Sequence, residues 1–164
     1  FTNEAAVFQG FEGSFSVGLS RRLVFDATVS YVAAKFASAR APIPVISLDP
    51  PDTSFVAASE HPPLIPPLFG NAELRYERPQ YFAGAGMRWT ARQARLGDFE
   101  TETAGSVVGE LHAGVRILIG GQFHTLTLRV DNLTNAEYYD HLSRIKDIEP
   151  QPGRNVSLLY RFTF

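Results

Sequence analysis

The sequence predicts an all-β fold: an antiparallel up-and-down transmembrane β-barrel segment of about seven strands. Three observations predict it. Apolar and polar residues alternate with period two along most of the 164 residues, whereas helical 3.6-residue spacing is scarce. Short and long connections alternate, as in outer-membrane barrels with short periplasmic turns and long extracellular loops. Each predicted strand also carries its ionic groups on one face and almost none on the other, which suits a polar lumen and a lipid-facing exterior. A soluble β-sandwich alternates too, but it turns its polar face to water and its apolar face to a second sheet.

The first strand spans residues 5–19, with Phe11, Phe15, Val17 and Leu19 on one face and Glu12, Ser14 and Ser16 on the other. A Ser20-Arg21-Arg22 turn leads into residues 23–33, where Leu23, Phe25, Val29 and Tyr31 alternate with Asp26, Thr28 and Ser30. Residues 37–67 hold eight prolines, including Pro50-Pro51, Pro62-Pro63 and Pro66-Pro67, and read as a long irregular loop because proline cannot donate to a ladder. Strand character returns at 69–76 and, after Glu77-Arg78-Pro79-Gln80, at 81–93, where Ala83, Ala85, Met87 and Trp89 oppose Arg88 and Arg92. A polar connection at 94–104 precedes residues 107–119, and Gly120-Gly121 closes a hairpin onto 123–133. A last loop at 134–153 leads to residues 154–164, in which Val156, Leu158, Tyr160, Phe162 and Phe164 share one face.

Composition narrows the function classes. Hydrophobic residues make up 45% and charged residues 20%, which is globular rather than disordered composition. A net charge of −2 supplies no basic field, so no nucleic-acid partner is expected. The absence of cysteine removes thiolate metal sites and disulfides. The longest uncharged stretches, 61–72 and 117–128, fall short of the roughly twenty apolar residues of a spanning helix, a test that does not bear on transmembrane strands. No nucleophile elbow, P-loop, zinc-protease or EF-hand motif is present, so no enzyme and no cofactor are expected.

The segment Leu128-Arg129-Val130-Asp131-Asn132-Leu133-Thr134-Asn135-Ala136-Glu137-Tyr138-Tyr139 resembles the "V-x-N-L-x-N-x-x-Y" region before the last strand of TonB-dependent outer-membrane receptors. Asp140-His141-Leu142-Ser143-Arg144, Pro152-Gly153-Arg154-Asn155 and the ending Tyr160-Arg161-Phe162-Thr163-Phe164 are similar to the same family's C-terminus. Upstream, Gly10-Phe11-Glu12 resembles its "G-x-E" strand and residues 66–77 its "P-x-x-x-x-N-x-x-L-x-Y" strand. The resemblance implies that residues 1–164 are the C-terminal part of a larger barrel of about twenty-two strands, whose plug domain and earlier strands are not in this sequence. It implies the outer membrane of a Gram-negative bacterium and import of a scarce nutrient such as a ferric siderophore, haem or cobalamin, energised through TonB acting on the plug. The partners implied are outer-membrane lipid and lipopolysaccharide, the protein's own plug, the barrel-assembly machinery and a small-molecule metal chelate. The alternative is a small structural or adhesive barrel without transport, which would close its first strand onto its last.

Site residues follow from position. The lumen set Glu12, Asp26, Glu73, Arg75, Arg88, Arg92, Glu110, His112, Arg116, Arg129, Asp131 and Arg161 is expected to be satisfied by mutual ion pairs, by water or by a plug. The spacing of His61, His112, His124 and His141 matches no metal-ligand motif, so no metal site is expected. Candidates for ligand contact are the long-loop residues Tyr139, Asp140, His141, Arg144 and His61. Tyr160, Phe162 and Phe164 belong to the lipid-facing aromatic girdle and, by the resemblance, form the assembly signal read by edge pairing.

Overall fold

The computed structural model describes residues 4–48 and 51–163. Nine strands follow one another: β1 (Ala6–Ser20), β2 (Leu23–Phe36), β3 (Ile43–Leu48), β4 (Pro51–Val56), β5 (Phe69–Glu77), β6 (Tyr81–Thr90), β7 (Ser106–Ile119), β8 (Gln122–Asp131) and β9 (Asn155–Thr163). Seven of them form one antiparallel sheet in the order β1-β2-β5-β6-β7-β8-β9, so every neighbour in space is a neighbour in sequence apart from the inserted β3 and β4. The predicted seven strands are this sheet, but the count of seven for the chain is corrected to nine. Residues 37–67, expected to be irregular, contain the separate β3–β4 ribbon, which pairs Ile43 with Val56 and Leu48 with Pro51. Both strands of a two-stranded ribbon are edges, and a proline whose missing N–H falls on the free edge costs no ladder bond.

Among the described residues the sheet is open: β1 and β9 lie at its opposite edges and share no ladder. The register places side chains as the alternation predicts. Across the strands, Ser16 pairs with Asp26, Asp26 with Glu73, Glu73 with Gly86 and Gly86 with Glu110, giving one acidic row. The next row runs Val24, Arg75, Gly84, His112, Arg129 and Ser157 and is basic. On the other face Leu111 pairs with Val130, Val115 with Leu126, and Leu128 with Leu158, with no charge among them.

Small residues on β6 make room for large ones on β7. A Cβ at Gly84 would meet the His112 ring at 2.3 Å, and one at Gly86 would meet the Glu110 side chain at 3.0 Å. The relation reverses at Phe82, whose ring covers Gly114 so closely that a Cβ there would stand 2.3 Å from Cζ and 2.7 Å from the Leu126 carbonyl oxygen. Such complementarity fixes the register more tightly than the backbone ladder alone.

Burial is concentrated at one end. Ala34, Ile65 and Val108 are buried, as are Pro62 and Pro67, all at or near the end of the sheet that carries the long loops. There the backbone joins separate connections: Ala91 donates to the Leu68 carbonyl, Gln93 and Thr103 exchange two bonds, and Leu133 donates to Gly109. The two asparagines of the sequence motif close the last loop. Asn132 and Asn135 take left-handed backbone angles (φ 50° and 54°), which asparagine tolerates better than most residues. Asn132 is buried, accepts from the Ala136 N–H and donates to the Ala136 and Pro152 carbonyls, while Asn135 Oδ1 accepts from the Arg154 N–H. A Cβ at Gly153 would stand 2.8 Å from that Oδ1, so glycine lets the chain pass.

Candidate functional site

The charged face is a lattice of ion pairs made by the two adjacent rows. Arg75 donates to Asp26 at 2.6 and 3.0 Å and stands 3.8 Å from Glu73, whose other oxygen lies 3.7 Å from His112 Nδ1. Arg129 bridges Glu110 at 3.0 Å and Asp131 at 2.8 Å. Arg116 reaches Glu77 at 3.4 Å, and Arg92 pairs with Glu102. Glu12 accepts from Ser30 at 3.4 Å. The expectation of mutual satisfaction therefore describes most of the lumen set. Two of its arginines, Arg88 on β6 and Arg161 on the edge strand β9, have no described partner.

Above this lattice, at the long-loop end, is a hollow of about 400 Å³. Strand residues Asn71, Arg88 and Thr90 line it from below, Pro66 and Pro67 from the first long connection, and Tyr138, Tyr139 and Asp140 from the last. Two of the ligand-contact candidates, Tyr139 and Asp140, thus come together at one cavity. The Tyr139 hydroxyl donates to Glu137 Oε1 at 2.8 Å, and that carboxylate together with partial burial pushes the phenol pKa up, so the phenol keeps its proton. Asp140 Oδ1 accepts from the Leu142 N–H at 3.0 Å.

The other candidates lie elsewhere. His141 is 1% exposed and does not line the hollow. Its Nδ1 lies 2.9 Å from Thr103 Oγ1 and 3.3 Å from Lys146 Nζ, while Nε2 has no hydrogen-bond partner and stands 3.8 Å from Glu100 Oε1. Burial, and next the Lys146 charge, push its pKa below the usual histidine value. An ammonium donating to Nδ1 leaves the ring's hydrogen on Nε2, facing Glu100. Lys146 is buried too and also donates to the Thr101 carbonyl and to Thr103. Glu100 accepts from the N–H groups of Leu64 at 2.7 Å and Gly97 at 2.6 Å. His141 therefore ties the last two long connections together, and Glu100 extends the link to Leu64 of the first.

His61 is bonded to the end of β2, with Nδ1 2.8 Å from the Ala34 carbonyl oxygen, and lines a different hollow beside Tyr31 and Arg95. Arg144 is exposed and lines no cavity with the others. Tyr160 and Phe162 lie on the apolar face of β9, where His124 Nδ1 is 2.6 Å from the Tyr160 hydroxyl and the His124 ring is 5.2 Å from Phe162. Phe164 lies outside the described residues. No group of three or more metal-ligating side chains occurs among the described residues. A further indentation of about 500 Å³ on the apolar face, shaped by Ala83, Ala85 and Ala113 between larger neighbours, offers almost no polar group to orient a ligand. Glu100, Lys146, Gln93 and Tyr138 escape sequence reading. Gln93 Nε2, for example, donates to the Ile65 carbonyl 28 residues away, and no local pattern marks such a contact.

No family model and no curated protein matches the chain. Among solved structures it is similar to "Copper transporter OprC", with a TM-score of 0.79 and 28% identity over 99% of this chain. The chain spans about a quarter (24%) of that protein's length. The likeness supports the fold of a barrel-type outer-membrane transporter for an all-β sheet that is not closed on itself.

Proposed function

We propose that this chain is the C-terminal barrel portion of a TonB-dependent outer-membrane receptor that imports a metal ion or a metal chelate. The observation that carries the reading is the division of one seven-stranded sheet into an ion-paired face and a face whose one described charge is Lys35 at the long-loop end of β2, with every long connection at that same end. A wall of this kind separates lipid from a polar interior. The likeness to a copper transporter over 99% of the chain supports a metal as cargo. The open edges support a longer barrel over the small-barrel alternative, because every unpaired backbone group in lipid costs several kcal/mol.

In this reading the ion-paired face holds the lumen in shape and the knitted long connections form part of the extracellular mouth. Energy enters through TonB acting on a plug. Tyr160, Phe162 and Phe164 serve as the assembly signal.

The test is uptake by the full-length protein in whole cells, measured with copper(II), a ferric siderophore, haem and cobalamin as separate cargoes. Uptake of one of them that depends on both this protein and TonB is the expected result. Passive, TonB-independent diffusion, or no uptake of any of them, would remove the reading.

A further inference from the structure

We propose that the hollow at the long-loop end binds the carboxylate of a small ligand, and that Arg88 is the residue that receives it. The site rests on the transport reading only for which side the ligand arrives from. Arg88 differs from the other cations of the interior strands' charged face in having no carboxylate partner among the described residues. Across the sheet that row reads Ser14, Thr28, Asn71, Arg88 and Val108, with no carboxylate in it. The carboxylates two residues further along the neighbouring strands are already engaged: Glu73 lies beside Arg75 and His112, and Glu110 pairs with Arg129. Asn71, its partner across the ladder, is neutral and brings no counter-charge; its Oδ1 accepts from Thr28 at 2.8 Å. A guanidinium with its planar fork free is the group best suited to a carboxylate, which takes two parallel hydrogen bonds from it.

The surroundings define the rest of the ligand. A hollow of about 400 Å³ is within the range of small-molecule sites. Its walls offer the Tyr138 and Tyr139 rings and the Thr90 hydroxyl. Asp140, from the last long connection, is the one carboxylate among the described lining residues, with Oδ1 held by the Leu142 N–H. Opposite charges on two walls favour a ligand that carries an acid at one end and a donor, hydroxyl or ammonium, at the other, which is the chemistry of hydroxy and amino acids and of their metal chelates. The walls are also held in place. Pro66 and Pro67 restrict one, and the Asn132 side chain and the Gln151-to-Tyr138 backbone bond fix the other, so little ordering opposes binding.

The test uses the full-length protein in detergent, with citrate, a hydroxy acid, and ferric citrate as probes and the cationic hydroxamate chelate ferrioxamine B as counter-probe. Expected is saturable binding of at least one citrate form, weakened by added salt, reduced roughly tenfold or more in Arg88→Gln and partly recovered in Arg88→Lys. Ferrioxamine B is expected to respond to neither substitution. Arg88 is exposed, so both variants should reach the membrane in normal amount, which a membrane-fraction blot checks. Failure of wild type to bind either citrate form, or an unchanged affinity in Arg88→Gln, overturns the proposal. So does an unchanged affinity accompanied by protease exposure of the plug, which would assign Arg88 to the plug contact. The transport reading is judged separately: TonB-dependent uptake with Arg88→Gln binding unchanged sinks the site alone, and Arg88-dependent citrate binding without TonB-dependent uptake sinks transport alone.

Discussion

At the scale of single residues, His141 shows how a polar side chain in a loop becomes part of a framework. Its ring joins Thr103 and Lys146, and Lys146 in turn closes on Thr101 and Thr103, so the last two long connections share one buried hydrogen-bond set. Because burial lowers its pKa, the unfolded loop binds more protons than the folded one once pH falls below the ordinary value of 6.5. The stability this neutral ring supports is fully present above that pH and declines as pH falls toward the depressed folded value. The protection factors of amides 141–146, with the pH-dependent intrinsic exchange rate divided out, are expected to fall from pH 7.5 to 5.5; unchanged factors would contradict it. In Lys146→Met the same amides should exchange faster at every pH, since Thr101 and Thr103 lose a donor at a cost of about 1–3 kcal/mol.

At the scale of strands, the pairing of β6 with β7 rests on glycines opposite large side chains. Gly114→Val places new atoms against the Phe82 ring and, at 2.7 Å, against a backbone oxygen that cannot swing aside. It should destabilise the refolded protein by about 1–3 kcal/mol. Gly109→Ala has its nearest contact at 3.8 Å and should change little, and urea titration of the two variants side by side gives the comparison. On the apolar face, Leu128 pairs with Ala113 and Leu158 in the middle of β8. Leu128→Arg should cost about 2–4 kcal/mol of refolding stability in lipid if the site is near the bilayer midplane, and an unchanged midpoint would mean that this face does not meet lipid.

At the scale of the whole molecule, β1 and β9 are the outermost strands of the sheet and share no ladder among the described residues. Seven strands of a wide barrel keep its gentle curvature, so their ends do not meet. Residues 1–164 expressed by themselves should therefore show no heat-modifiable shift on SDS gels, whereas the full-length protein should show the shift of a closed barrel. A shift in the short chain would revive the small-barrel alternative.

The strand positions, the face of each side chain and the end that carries the long loops were legible in the sequence, because strand periodicity and turn chemistry are local. The β3–β4 ribbon was not, since prolines at Pro44 and Pro51 conceal a pairing that needs only one good edge per strand. The candidate site was half legible: Tyr139 and Asp140 meet at the hollow, but His141 turns inward and Arg88 joins from a strand about fifty positions earlier. Which cations are neutralised was decided only by register, which sets Arg75 beside Asp26 across 49 residues and leaves Arg88 next to carboxylates that Arg75, His112 and Arg129 already engage. Charge balance on a sheet is a property of neighbours across strands, and those neighbours exist only once the chain has folded.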